Sequence, residues 1–161
     1  MSDTLKGKVA LVTGAGTGLG RGIAQALAEA GADIAVAEIN ADAGRLAARE
    51  LSELGVRANA YATDVSKSDQ VNRTFTAAHS DLGGLDIVVN NAGISRVGPH
   101  TQDVSDEDWA DSIAVMQTGV FYCMRAAGRI MLQHGSGSVI NISSIRGDSP
   151  NPRPLTSCSA K

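Results

Sequence analysis

The sequence predicts an α/β fold built on one doubly wound parallel sheet, and three observations carry that prediction. Short β-branched runs alternate with longer segments of helical spacing. The run Ile87-Val88-Val89 does not alternate with polar residues, as expected of a strand covered on both faces. Glycines close successive helical segments at Gly31, Gly55 and Gly83-Gly84. Strand–helix alternation implies parallel pairing through right-handed crossovers, with an expected strand order of 3-2-1-4-5.

Taken in order, residues 9–12 form a first strand that runs into glycines, and helical spacing over 19–30 follows. Residues 34–37 are the second strand, 41–54 the second helix and 56–61 the third strand. A third helix over 69–82 leads to the fourth strand at 86–90. A polar stretch containing Pro99 precedes one long helix over 106–133, and 138–142 is the fifth strand. Trp109, near the start of that helix, is expected as a packing anchor. No repeat, linker or low-complexity segment interrupts the pattern, so residues 1–161 are expected to form one domain.

Bulk composition narrows the function. Hydrophobic residues at 43% and charged residues at 19% describe an ordinary globular chain. A net charge of −3 offers no basic footprint for nucleic acid or an anionic membrane. No apolar run approaches the ~18 residues of a membrane span. Residues 1–8 lack the apolar stretch of a secretory signal, so the cytoplasm is the expected compartment. Cys123 and Cys158 have no metal or redox spacing and are expected as reduced thiols. His79, His100 and His134 stand at no ligand or triad spacing and are expected at the surface, so no metal site is expected.

The segment Thr13-Gly14-Ala15-Gly16-Thr17-Gly18-Leu19-Gly20 lies where the first strand ends and the first helix begins. Glycines there allow a sharp turn and close approach of the backbone to a pyrophosphate. The helix that follows offers unpaired N–H groups and the positive end of its dipole. Gly14, Thr17, Gly18, Leu19 and Gly20 are therefore candidate cofactor contacts in a Rossmann-like site. Glu38 ends the second strand, 18 residues beyond Gly20. A carboxylate at that place accepts hydrogen bonds from adenosine ribose hydroxyls and repels a ribose phosphate. Neither Thr17 nor Ile39 is basic, so NAD is expected over NADP.

This glycine segment together with Asn90-Asn91-Ala92-Gly93 resembles the short-chain dehydrogenase/reductase family, and Asp64-Val65 and Asn141-Ile142-Ser143-Ser144 fall at the family's places. The resemblance spans the whole chain. It implies that Asp64 and Val65 border the adenine, that Asn90, Ala92 and Gly93 line the cofactor site, and that Ile142 lies near the nicotinamide. It implies hydride transfer between the nicotinamide and a secondary alcohol or ketone. Ser144 matches the substrate-orienting Ser, and Lys161 matches the Lys that bonds the nicotinamide ribose. It also implies a homo-oligomer, tetramer or dimer.

Two departures stand out. The acid/base Tyr belongs 13 residues after Ser144 and four before Lys161, where the sequence has Ser157. A serine hydroxyl is shorter and far less acidic than a phenol, although Ser157 and Lys161 would share a helix face. The relay Asn, placed by Asp108-Trp109 and Gly119-Val120-Phe121, maps to Met116, whose thioether cannot donate as an amide does. The alternative to an oxidoreductase is thus a catalytically silent NAD-binding or scaffold protein; a weaker one is a Rossmann enzyme of other chemistry, such as an epimerase. The family continues past the position of Lys161 into further strands and a substrate lid. The domain is therefore expected to be incomplete at its C-terminal side, and a chain truly ending there, with a bare fifth strand, to be poorly soluble, self-associating or only partly folded. Arg146-Gly147-Asp148-Ser149 and the prolines 150, 152 and 154 read as a substrate-side loop, not an adhesion motif.

Overall fold

The structure, a computed structural model, describes residues 4–94 and 101–144. Strands β1 (Val9–Thr13), β2 (Asp33–Glu38), β3 (Ala58–Ala62), β4 (Ile87–Asn90) and β5 (Ser138–Asn141) form one parallel sheet, ordered β3-β2-β1-β4-β5. This is the order the sequence predicts. Helices α1 (Gly18–Glu29), α2 (Ala41–Ser52), α3 (Ser68–Leu82), α4 (Asp106–Ile113) and α5 (Gly119–His134) cover it.

Side-chain alternation along β1 and β2 divides the core. Val9, Leu11, Ala35 and Ala37 pack with Phe75 and Ala78 of α3 and Ala127 of α5. Ala10, Val12, Ile34 and Val36 pack with Ala24 and Ala28 of α1 and Ala47 and Leu51 of α2. Both faces of β1 and β2 are therefore buried, which is why these segments read as continuous apolar runs. The connection changes face between β1 and β4, neighbours with Val12 opposite Val89. A crevice opens at the carboxyl ends of such a pair.

Several boundaries move for tertiary reasons. β3 starts at Ala58, not at 56, because Arg57 is committed elsewhere. Its N–H donates to Asp33 Oδ1 at 2.7 Å, and its guanidinium donates to Asp33 Oδ2 (2.9 and 2.6 Å) and the Leu82 carbonyl (2.6 Å). α2 stops at Ser52 because the tighter bonds Leu54 N–H to Leu51 C=O and Gly55 N–H to Ser52 C=O close the turn, both at 3.0 Å. The long helix predicted over 106–133 is a continuous right-handed run, but Ala114–Thr118 widens into a π turn between α4 and α5.

Two expectations on side chains are corrected. Trp109 does not anchor packing: it is 43% exposed on α4, whose buried residue is Ser112. His134 is exposed as expected, but His79 is not a fully exposed surface residue. Packing of α3 on α5 sets their rings 5.2 Å apart, with His79 half-buried. His100 lies outside the described residues, as do Cys158, prolines 99, 150, 152 and 154, and Arg146-Gly147-Asp148-Ser149. Cys123 is a free thiol whose burial pushes its pKa up to about 12. Among the described residues no helix is long and apolar enough to cross a membrane, and no cluster of metal-ligating side chains occurs. The edge strand β5 leaves Val139 and Ile140 38% and 44% exposed.

Candidate functional site

A cleft of about 500 Å3 opens at the carboxyl ends of β1 and β4. Its floor is the turn between β1 and α1. Gly14 adopts φ +65° there, and a Cβ on it would stand 3.0 Å from Ala92 Cα. Gly20 sits in the first turn of α1, where a Cβ would meet the Gly14 carbonyl oxygen at 2.2 Å. Only glycine lets the helix start so close to the turn. Thr17 occupies the N-cap position in extended backbone, but its hydroxyl caps no amide. The first N–H groups of α1 thus have no side-chain cap from their own N-cap residue.

The turn is held from β4. Thr13 Oγ1 accepts the backbone N–H groups of Asn91 and Ala92, both at 3.0 Å. The Asn91 side-chain amide donates to the carbonyls of Thr13 (3.0 Å) and Gly14 (3.3 Å). Glu38, ending β2, closes one wall. Its Oε2 accepts the Gly16 N–H at 3.0 Å and its Oε1 the Asn40 N–H at 3.1 Å. Asn40 in turn caps α2 through the N–H groups of Asp42 and Ala43.

Of the predicted site residues, Gly14, Thr17, Leu19, Gly20, Glu38, Asp64, Val65, Ala92, Gly93 and Ser144 all line this cleft. Asp64 turns one oxygen to the Ser66 N–H (2.9 Å) and hydroxyl (2.7 Å), fixing the turn after β3. Val65 is buried against Gly119, whose missing Cβ lets α5 approach the floor. Three predicted residues are placed otherwise. Gly18 adopts φ +56° in open space and serves the turn. Asn90 points toward β5, its amide donating to Asn141 Oδ1 at 2.8 Å. Ile142 packs against the α1/α2 core. Ser157 and Lys161 lie outside the described residues.

Met116, which the sequence resemblance maps to the relay Asn, is 4% exposed and lines the same cleft as Ser144. It sits within the π turn, a feature that often occurs at functional sites. Sequence reasoning missed Gly16 and Asn91 as individual contributors. Both stand inside motifs that were recognised, but their roles depend on contacts with distant residues. Among the described lining residues, Glu38 and Asp64 carry the ionisable groups, both beside the glycine turn. The arrangement suits an elongated ligand: an anion over the turn, hydroxyl groups at Glu38, and a farther end toward Met116 and Ser144.

Comparison with known proteins agrees with this geometry. A family model described as short chain dehydrogenase matches residues 8–161. The D-threitol dehydrogenase of Mycolicibacterium smegmatis is 34% identical over 140 residues, covering 87% of this chain and 54% of its own length. The 5-keto-D-gluconate 5-reductase of Escherichia coli is 36% identical over 145 residues, covering 90% and 57%. The crystal structure of an NAD+-bound xylitol dehydrogenase superposes with a TM-score of 0.92 at 33% identity, over 98% of this chain and 60% of that one. The chain therefore spans little more than half the length of these curated relatives.

Proposed function

Because the chain belongs to the short-chain dehydrogenase/reductase family, we propose that it forms the NAD-binding part of an oxidoreductase that interconverts a secondary alcohol and a ketone. The observation that carries this reading is the cleft itself. Glycines 14, 16 and 20 keep Cβ atoms out of a turn that opens on the start of α1, and the carboxylate of Glu38 stands beside that turn. This donor and acceptor set fits a dinucleotide. Backbone N–H groups face a diphosphate, and a carboxylate meets ribose hydroxyls while opposing a ribose phosphate, which favours NAD over NADP.

The nicotinamide cofactor, when bound, supplies the hydride acceptor or donor. The chain's own residues bind and orient. Asp64 and Val65 border the adenine end, Ala92 and Gly93 the middle of the cleft, and Ser144 holds the substrate oxygen at the far end. Lys161 bonds the nicotinamide ribose in the family pattern. Relatives named for D-threitol, 5-keto-D-gluconate and xylitol support a small hydroxylated substrate. The same family pattern supports a dimer or tetramer.

A second reading, a silent dinucleotide-binding protein, is favoured by one observation: the buried Met116 presents a thioether where the family carries its relay amide. Calorimetric titration with NAD and NADP, followed by NADH absorbance against a panel of ketones, separates the readings. NAD binding with turnover supports the enzyme, and NAD binding without turnover the silent form. Absence of any dinucleotide binding overturns both.

A further inference from the structure

Glu38 is held by two backbone hydrogen bonds before any ligand arrives. Both oxygens accept backbone N–H groups, Oε2 from Gly16 at 3.0 Å and Oε1 from Asn40 at 3.1 Å. Position 16 has no room for a side chain: a Cβ there would lie 2.7 Å from Glu38 Cγ and 2.9 Å from Oε2. Gly44 of α2 also lacks a Cβ beside this side chain, where an added one would stand 3.2 Å from Glu38 Cβ. An alanine at position 16 therefore displaces the Glu38 carboxylate from the Gly16 N–H.

We infer that Gly16 is a specificity-determining position, acting through Glu38: its N–H and its lack of a Cβ hold the carboxylate as a preformed acceptor for the adenosine ribose. This rests on the cofactor reading above. Gly16 is a positioning residue whose substitution by an uncharged methyl group mimics loss of a distant carboxylate. Hydrogen bonds to charged groups are the stronger ones, and preorganised acceptors bind without a reordering cost.

The test is a double-mutant cycle read by calorimetry with NAD and NADP on the wild type, Gly16→Ala, Glu38→Ala and the double variant. Gly16→Ala is expected to weaken NAD on the order of tenfold, the loss of one charge-assisted hydrogen bond, and to leave NADP nearly unchanged. In the Glu38→Ala background it is expected to change nothing further. A retained NAD preference in Gly16→Ala, or strictly additive losses, overturns the inference while leaving the cofactor reading intact. A wild type that binds neither dinucleotide overturns the cofactor reading and this inference with it. Should Gly16→Ala fail to fold, amide exchange in the ligand-free wild type decides. A protected Gly16 N–H that Glu38→Ala exposes supports the inference, and a Gly16 N–H already unprotected in the wild type overturns it.

Discussion

Thr13 and Asn91 hold each other twice: the threonine hydroxyl accepts the Asn91 backbone N–H, and the Asn91 side-chain amide donates to the Thr13 carbonyl, both at 3.0 Å. The pair joins the end of β1 to the exit of β4 where the connection changes face. One strand delivers the glycine turn and the other delivers Ala92 and Gly93, so this clasp sets the width of the cleft.

Thr13→Val tests it. Valine keeps the shape but leaves the N–H groups of Asn91 and Ala92 without their acceptor at a site only 2% exposed. Stranding buried donors costs about 1–3 kcal/mol. Urea denaturation is expected to show that loss, with weaker NAD binding alongside it. A midpoint equal to that of the wild type would remove the clasp from the account.

Two glycines on one helix make a second, internally controlled prediction. Gly20→Ala drives a Cβ to 2.2 Å from the Gly14 oxygen and 2.4 Å from Asn91 Nδ2, whereas at Gly22 an added Cβ meets nothing within 4 Å. The first should destabilise by about 1–3 kcal/mol and impair NAD binding. The second should stabilise by about 0.5–1 kcal/mol, because alanine favours the helix. Equal melting shifts of the two variants would contradict the close approach.

How much of this was legible in the sequence follows from distance along the chain. The five strands and their order were readable because apolar runs and closing glycines are local signals. The start of β3 was not, since it depends on Arg57 meeting Asp33. The π turn was invisible because its residues share the helical backbone of their neighbours. In the cleft, the glycine turn and Glu38 were readable from their places at strand ends. The division of labour between Asn90 and Asn91 was not. Successive residues at a strand end face different ways, so Asn90 reaches Asn141 of β5 while Asn91 reaches the turn.

The far end of the sheet predicts an acid dependence. Burial works against the charge of Asp86, but the Lys8 ammonium at 2.8 Å and the Val9 N–H at 2.9 Å outweigh it, with His134 adding in the same direction. The folded carboxyl therefore sits below its ordinary value. A lowered folded pKa gives stability that is present above the unfolded value, about 3.9, and lost as pH falls through the folded one. Asp86→Asn is expected to lose on the order of 1 kcal/mol near neutrality, because Lys8 is half exposed and screened. Its deficit should vanish at low pH. Urea midpoints for the two proteins that stay parallel from pH 7 to pH 2 would refute this linkage.

The catalytic question turns on position 157. If the chain binds NAD and lacks only the acid/base, Ser157→Tyr restores a phenol four residues before Lys161. General acid–base catalysis contributes roughly 10²–10⁴-fold, so turnover of a ketone with NADH should rise by about that factor while NAD affinity holds steady. Met116→Asn alone should add little, since a proton relay needs an acid to feed. Combined with Ser157→Tyr, it should exceed the product of the two separate gains, the coupling expected of groups that work as a unit. Met116 already lines the cleft that holds Ser144, so the amide would enter where substrate is proposed to sit. Unchanged turnover in the double variant, with NAD still bound, would mean that the cleft serves binding alone.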